Sequence, residues 1–173
     1  ASDVYKRQQP SQRHFETLLW SALSRFDIDK PVFVESESRR IGTCHLPEAL
    51  TLAIRQGHCV VLEADLADRS RLLNTLYPHF IAEPATLLTQ LDRLRELHGH
   101  AVIESWRALL EQGRFDELVQ QLLSEHYDPT YDRSMSRNFS RLERALRCNL
   151  DPSRPDEIDR VARSLLDGSA QPR

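Results

Sequence analysis

The sequence predicts an α/β fold in which a parallel sheet of two strands is followed by a helical C-terminal region. Three observations support this prediction. Two short apolar runs, residues 32–34 and 59–62, have the length and β-branched content of buried parallel strands. Helical apolar periods separate and follow these runs, which is the order of a βαβ unit. After Pro84 the apolar residues recur at helical spacing only.

The composition is that of one compact domain. The chain has 173 residues, of which 40% are hydrophobic and 28% charged, so a buried core is expected and general disorder is not. A net charge of -3 excludes a uniformly polycationic nucleic-acid binder, although a local basic patch remains compatible with it. No apolar run approaches the roughly 20 residues of a membrane span. The three cysteines are widely spaced, which favours a reducing, cytoplasmic location.

The first half of the chain alternates helices with the two strands. Residues 1–8 show no apolar period, and we expect them to be a non-native leader, with the native chain continuing upstream. A first helix is predicted after the N-cap Ser11, and a second between Pro47 and Gly57. Residues 9–83 would thus form a truncated α/β half. Because two strands alone do not make a stable covered sheet, either upstream sequence supplies more strands or the strand prediction is wrong.

The second half, residues 84–173, is predicted to be helical. Three apolar stripes lie between residues 87 and 123, and each is interpreted as core packing. The polar and aromatic residues 126–134 predict a loop. Phe139, Leu142 and Leu146 predict a further helix, and residues 158–166 predict the last one.

The first candidate site follows the first predicted strand. Glu35 and Glu37 alternate along a continuing strand, so both carboxylates would point to the same side. At the carboxyl end of a parallel strand, Glu35 is placed to hold Mg²⁺, and Arg39 and Arg40 to grip phosphate oxygens. The alternative interpretation is a solvated strand end with Glu–Arg ion pairs.

Two further polar clusters were considered. Glu63 and Asp65 end the second strand, and with Arg69 and Arg71 they are better explained as a helix-capping acid and surface arginines. In the predicted loop, Tyr127 and Tyr131 could stack on a nucleobase and Arg133 and Arg137 could meet phosphates. The alternative is a structural loop whose polar side chains satisfy backbone groups.

Several kinds of site are excluded by the sequence. The five glycines are at positions 42, 57, 99, 113 and 168, and none is followed by lysine. A G-x-x-x-x-G-K-[ST] phosphate loop therefore cannot occur in this chain. The scattered histidines and cysteines match no metal-ligand spacing. Cys44 adjoins His45, but neighbouring side chains diverge, so a nucleophile–base pair is not expected.

Five sequence blocks together resemble the C-terminal part of bacterial tRNA 2-selenouridine synthases. The blocks are Gln9-Pro-Ser-Gln12 with His14-Phe15-Glu16, Pro31-Val-Phe-Val-Glu-Ser-Glu-Ser-Arg-Arg-Ile-Gly42 with Leu46-Pro47, Val60-Val-Leu-Glu-Ala64, Leu94-Arg-Glu-Leu-His-Gly99 and His126-Tyr-Asp-Pro-Thr-Tyr-Asp-Arg-Ser134. The resemblance covers about residues 9–140. It implies an incomplete P-loop-NTPase-like sheet, cut from an enzyme whose N-terminal rhodanese-like domain and phosphate loop lie upstream.

The resemblance also implies a reaction and its partners. Members of this family replace sulfur by selenium in 2-thiouridine at the tRNA wobble position, with selenophosphate as donor and an S-geranylated intermediate made from geranyl diphosphate. By motif match, Glu35 would be the acid that ends a nucleotide-site strand, and Arg39 and Arg40 would contact phosphate or tRNA. The fragment itself is expected to hold no cofactor and to be inactive without the upstream segments.

Two alternatives to this function remain at the level of sequence. One is a nucleotide-kinase-like P-loop domain unrelated to tRNA, which would share the strand-end acids and arginines. The other is a non-catalytic helical module in residues 84–167 that docks tRNA or protein, and it predicts arginines gathered on one face.

Overall fold

A computed structural model describes residues 9–36 and 38–168. The chain divides into two compact units, Ala1–Gly57 and His58–Arg173, called here the N-terminal and the C-terminal unit. The proposed leader, residues 1–8, lies outside the described residues, as does Glu37. The sequence-based division fell after residue 83, whereas the structural division falls after Gly57.

The N-terminal unit contains two helices and a short hairpin. Helix α1 spans Gln12–Leu23, and Ser11 caps it by accepting a hydrogen bond from the backbone N–H of His14, as predicted. The antiparallel strands β1 (Arg40–Ile41) and β2 (Cys44–His45) form the hairpin. Helix α2 spans Glu48–Gln56 and ends at Gly57, also as predicted.

The prediction of a buried strand at residues 32–34 is wrong. These residues join no ladder, and Val32, Phe33 and Val34 are 52%, 53% and 52% exposed. Their β-branched and aromatic side chains favour extended backbone, but a strand also needs a neighbour that accepts and donates its ladder hydrogen bonds. No strand among residues 9–36 and 38–168 pairs with this run.

The C-terminal unit contains the parallel strand pair. Strand β3 (Val60–Glu63) pairs with β4 (Leu146–Asn149), in register from Val60 opposite Leu146 to Glu63 opposite Asn149. The α/β prediction with one two-stranded parallel sheet and a helical remainder is thus confirmed, but the partner of β3 is β4. The helix predicted through residues 139–146 is wrong, because Ala145 is already extended and the chain enters the sheet there.

Helices make up most of the C-terminal unit, and they agree with the predicted apolar stripes. In chain order they are α3 (Leu66–Leu76), α4 (Pro78–Ala82), α5 (Pro84–Asp92), α6 (Arg95–His98), α7 (His100–Glu111), α8 (Phe115–Gln121), a π-helical segment (Leu122–Tyr127), α9 (Asp128–Asn138), a 3₁₀ turn (Leu142–Arg144) and α10 (Pro155–Leu166).

The core of the C-terminal unit is built by α5, α7 and α8. Trp106, Ile103 and Leu118 have no exposed surface and pack with Leu91, Leu109 and Leu110. Helix α3 contacts α8, and the buried hydroxyl of Ser70 donates to the Asp116 carbonyl at 3.3 Å. Burial of these large apolar side chains is the main stabilising contribution to this unit.

The loop predicted for residues 126–134 is wrong, because the chain is helical there. The π-helical segment runs directly into α9, and Pro129 lies in the first turn of that helix. Because proline has no N–H to donate to the preceding turn, it interrupts the regular hydrogen-bond ladder where the π-helical segment joins α9. The polar and aromatic composition that indicated a loop therefore belongs to an exposed helix face.

Candidate functional site

The block Gln9-Pro-Ser-Gln12 holds the hairpin of the N-terminal unit. The side-chain carbonyl of Gln9 accepts hydrogen bonds from the Thr43 backbone N–H at 2.7 Å and from the Thr43 hydroxyl at 2.8 Å. Gln12 donates to the His45 carbonyl and accepts from the His45 N–H, each at 2.8 Å. Two glutamine side chains thus fix the turn and the second strand of the hairpin.

Gly42 is required where this clamp meets the turn. Its φ is +62°, in the left-handed region of backbone conformation that residues other than glycine rarely adopt. A Cβ atom at this position would lie 2.0 Å from the Gln9 side-chain nitrogen, well inside van der Waals contact. The backbone conformation and the close approach of Gln9 therefore both select glycine. The sequence blocks that start at Gln9 and end at Gly42 meet at this point.

The predicted phosphate-binding residues lie on and before this hairpin. The Arg40 guanidinium donates to the Gly42 carbonyl at 2.8 Å, and the Arg39 carbonyl accepts from the Leu46 N–H at 2.8 Å. Both arginine side chains and Glu35 are exposed. The common orientation expected of Glu35 and Glu37 depended on a strand that is absent at residues 32–34.

The proposed Mg²⁺ contact at Glu35 remains a prediction. Across the described ranges, no group of three or more His, Cys, Asp and Glu side chains could hold a metal ion. Mg²⁺ is commonly held by one or two carboxylates with waters and substrate phosphates. Glu35 alone is a single exposed ligand, so the described residues supply no complete metal cage.

The acids and arginines after β3 are used within the fold. Glu63 forms an ion pair with Arg147 on the neighbouring strand, and Arg71 pairs with Asp68. Arg69 donates two hydrogen bonds to Asp128 of α9, at 2.9 Å and 2.6 Å. This bidentate bond raises the pKa of Arg69. Sequence reasoning gave no signal for this pair, whose members lie 59 residues apart.

Tyr127 and Tyr131 form an exposed aromatic pair at the start of α9. Their rings are stacked, with centroids 5.8 Å apart and planes inclined by 11°, and the residues are 49% and 38% exposed. Arg133 donates to the Thr130 hydroxyl at 3.3 Å. It follows Tyr131 by two positions, which turns it about 200° around an α-helix. The structure therefore brings the tyrosines together and places Arg133 on another side of the helix.

A histidine pair adjoins this helix. The Nε2 atom of His98 and the Nδ1 atom of His126 are 3.0 Å apart, so one ring nitrogen donates to the other. Burial lowers the pKa of His126, and the neighbouring His98 lowers it further. The His98 ring also lies 5.0 Å from that of Trp106, between centroids. The scattered spacing of the histidines in the sequence gave no signal for this pair.

Within the described part of the chain, no helix is long and apolar enough to cross a membrane.

The free thiol of Cys44 is buried and donates to the Pro10 carbonyl at 3.4 Å, so its position is that of a packed structural side chain.

Comparison with known proteins agrees with the sequence blocks. Residues 4–86 match the sequence model of a family described as the tRNA 2-selenouridine synthase AAA domain. A tRNA 2-selenouridine synthase of Alcanivorax borkumensis is 31% identical over 159 residues, covering 75% of this chain and 43% of that protein. The synthase of Marinobacter nauticus is 28% identical over 156 residues, covering 74% of this chain and 42% of its own length.

A further synthase, from Shewanella piezotolerans, is 28% identical over 167 residues, covering 80% of this chain and 46% of that protein. No solved structure matches the chain significantly. The chain spans less than half the length of these relatives. The resemblance carried by the sequence blocks is thereby confirmed, and the chain is related to one part of the tRNA 2-selenouridine synthases, with residues 4–86 matching their AAA domain.

Proposed function

We propose that this chain is part of a tRNA-modifying enzyme that replaces sulfur by selenium in wobble 2-thiouridine. In the proposed reaction selenophosphate is the selenium donor, and an S-geranyl intermediate forms from geranyl diphosphate. The observation that carries the proposal is the clamp between Gln9, Gln12 and the hairpin that contains Gly42. Two of the blocks that resemble the synthases, residues 9–12 and residues 31–42, meet there.

The hairpin is proposed to contact a phosphate-bearing substrate. Arg39 and Arg40 are exposed, and β1, held by the clamped β2, fixes the Arg40 backbone. A guanidinium group with a fixed backbone loses less conformational entropy when it binds a phosphate. Glu35 would supply a carboxylate near the same diphosphate, and Mg²⁺ would neutralise charge there if Glu35 ligates it.

The rest of the catalytic machinery would come from other segments of a longer protein. The sequence contains no G-x-x-x-x-G-K motif, so the phosphate loop and the rhodanese-like cysteine would lie on the segments that the synthases have beyond this chain. The exposed side chains of β3 support such docking, because Val60 and Leu62 are 37% and 60% exposed on one face of a parallel sheet. Parallel sheets are ordinarily covered on both faces. We therefore expect the chain alone to be inactive.

The C-terminal unit is proposed to contact tRNA through α9. Tyr127 and Tyr131 offer an exposed aromatic surface of the kind on which unpaired bases stack. Arg133, which lies nearly opposite Tyr131 around the helix, would meet a phosphate on that other side. The family relationship supports tRNA as the partner, because the relatives are named as tRNA 2-selenouridine synthases.

The test is complementation with the full-length gene in a strain that lacks 2-selenouridine in its tRNA, measured by mass spectrometry of tRNA nucleosides. Full-length protein should restore the nucleoside, and the 173-residue chain alone should not. The double variant Arg39→Gln/Arg40→Gln should lower the yield by about tenfold or more, because charge-assisted phosphate contacts are lost. The control is Arg25→Gln, at an exposed arginine of the same unit whose guanidinium donates to the Ser21 hydroxyl.

Two results would contradict the proposal. If the full-length wild-type protein forms no 2-selenouridine although it is expressed, the function is wrong. If the arginine double variant restores as much nucleoside as the Arg25 variant, the phosphate assignment is wrong while the function stands.

A further inference from the structure

Arginines in the C-terminal unit are divided into two populations. Eight of them lie within 4.0 Å of a carboxylate, namely Arg69, Arg71, Arg95, Arg107, Arg114, Arg147, Arg154 and Arg163. Six other arginines form no ion pair with any described residue. Arg93 donates to the Gln90 side chain and Arg160 to the Asn149 carbonyl. The remaining four are Arg133, Arg137, Arg141 and Arg144. These four, called here the arginine segment, follow one another within residues 133–144, where Glu143 is the one acidic residue.

The backbone of the arginine segment is anchored while its side chains are exposed. All four arginines are exposed, whereas Phe139 and Ala145 are 8% and 9% exposed and fix the chain between and after them. Arg133 and Arg137 are four residues apart on α9 and so share a face. The Arg144 N–H donates to the Arg141 carbonyl at 3.0 Å in a 3₁₀ turn, where residues three apart are aligned.

The arginine segment concentrates four exposed guanidinium groups in a chain whose net charge is -3. Four like charges so close in sequence repel one another, and no described carboxylate reduces that repulsion by an ion pair. An anionic partner would remove it. Guanidinium groups bind phosphate bidentately, and a series of them suits a chain of phosphates rather than one isolated anion.

We propose that the arginine segment binds consecutive phosphates of an RNA backbone. The choice of RNA rests on the proposed function, and the aromatic pair Tyr127 and Tyr131 on the same helix is suited to stack the unpaired bases of such a strand. A membrane surface is a poorer fit, because residues 132–157 expose no large apolar side chain that would enter a bilayer. Arg141 and Arg144 thereby extend the predicted tRNA contact beyond Arg133 and Arg137.

The experiment measures the affinity of the 173-residue chain for a labelled tRNA transcript over a series of salt concentrations. Each phosphate contact contributes about 0.7 to 0.9 to the slope of log affinity against log salt. The double variant Arg137→Gln/Arg141→Gln should therefore reduce the magnitude of this negative slope by about 1.4 to 1.8. Its affinity at low salt should fall by about tenfold or more.

The matched control is Arg114→Gln/Arg154→Gln, which removes the same charge from two exposed arginines that pair with Glu117 and Asp156. Its slope should stay near that of the wild type, and circular dichroism should show that both variants remain folded.

The proposal is overturned if the chain does not bind tRNA, or if the two double variants have equal salt slopes. It is also overturned if the wild-type chain binds phosphatidylserine vesicles as tightly as it binds tRNA. Its failure is separable from that of the proposed function. If the full-length protein forms selenouridine but the Arg137→Gln/Arg141→Gln variant keeps the wild-type salt slope, only the role of the arginine segment is rejected. If that variant has a reduced slope but the full-length protein forms no selenouridine, only the proposed function is rejected.

Discussion

The two units of the molecule are organised by different interactions. Among the described residues of the N-terminal unit, Cys44 is the one buried side chain, and neither α1 nor α2 contributes a buried residue. The C-terminal unit instead encloses Trp106, Ile103 and Leu118 completely. In the first unit, hydrogen bonds of Gln9 and Gln12 with the hairpin connect distant residues. The second unit has an apolar core in addition to its long-range hydrogen bonds and ion pairs.

This difference shows where each unit derives its stability. Apolar burial contributes roughly 25 cal/mol per Å², while one hydrogen bond exchanged with water contributes about 1 kcal/mol. The C-terminal unit thus has the interactions of a stable core. The N-terminal unit leaves Trp20 at 72% and Ile28 at 96% exposure, which supports our proposal that it belongs to a larger body.

The largest expected effect is a difference in the free energy of unfolding between alanine variants of the two tryptophans. Trp106→Ala should destabilise the C-terminal unit by about 3–5 kcal/mol, because it removes a fully buried side chain and leaves a cavity. Trp20→Ala makes the same chemical change at an exposed position and should cost less than about 0.5 kcal/mol. Urea denaturation followed by circular dichroism measures both free energies of unfolding.

Trp106→Phe refines this comparison. The indole N–H of Trp106 is buried without a described hydrogen-bond partner, so the change removes an unsatisfied group as well as packing volume. We expect a loss clearly smaller than that of the alanine variant. Equal losses for Trp20→Ala and Trp106→Ala would refute the distinction between the two units.

The second prediction concerns the polar clamp. Gly42→Ala places a Cβ at positive φ and displaces Gln9, whereas Gly113→Ala has a similar φ of +72° with nothing within 4 Å of the added atom. Both variants incur backbone strain of about 1–2 kcal/mol. The Gly42 variant also loses the hydrogen bonds that Thr43 donates to Gln9, so its hairpin should open about tenfold more often.

Hydrogen exchange at the Thr43 and His45 amides measures that opening. Exchange should accelerate in Gly42→Ala and stay at the wild-type rate in Gly113→Ala. Unchanged protection in the Gly42 variant would show that the clamp does not hold the hairpin.

The sequence was informative where a local rule determines the structure. Ser11 as an N-cap, Gly57 as a helix end and the strand at β3 follow from capping chemistry and local apolar patterns, and the structure confirms all three. The apolar period also predicted the core faces of α5, α7 and α8. In each case the decisive interactions lie within a few residues of one another.

The failures came from contacts between distant residues. Residues 32–34 had the composition of a strand but no pairing neighbour, and residues 146–149 became a strand because β3 lies beside them. Tertiary context overrides local propensity in both cases. The bonds of Gln9 to Thr43 and of His98 to His126 likewise cross 34 and 28 residues, which no local pattern encodes.

The sequence predicted the positions of the candidate site residues less completely than it predicted the fold. The sequence identified Arg39 and Arg40, and the structure shows both as exposed side chains on or next to the hairpin. The sequence also paired Tyr127 with Tyr131, but it assumed a loop, so it could not assign Arg133 to a different side of a helix. Helical geometry decides which residues share a surface, and a loop prediction carries no such geometry.

The smallest expected effect concerns His126, at the polar edge of the apolar core of the C-terminal unit. Burial and His98 lower the pKa of His126 in the folded chain, so between that lowered pKa and the usual value of about 6.5 the unfolded chain binds more protons. The free energy of unfolding should therefore fall as the pH drops below about 6.5. His126→Gln should reduce this loss, measured as the change in urea midpoint between about pH 7.5 and about pH 5.5.

The control for this prediction is His14→Gln, which alters an exposed histidine of α1 and should leave the wild-type change in midpoint intact. Both variants leave the bidentate hydrogen bonds between Arg69 and Asp128, at the start of α9, in place. A pH dependence in His126→Gln as steep as that of the wild type would show that protonation elsewhere controls the stability. A shallower pH dependence in His126→Gln would show that the loss of stability at low pH arises from His126 and its contact with His98, at the boundary of the Trp106 core.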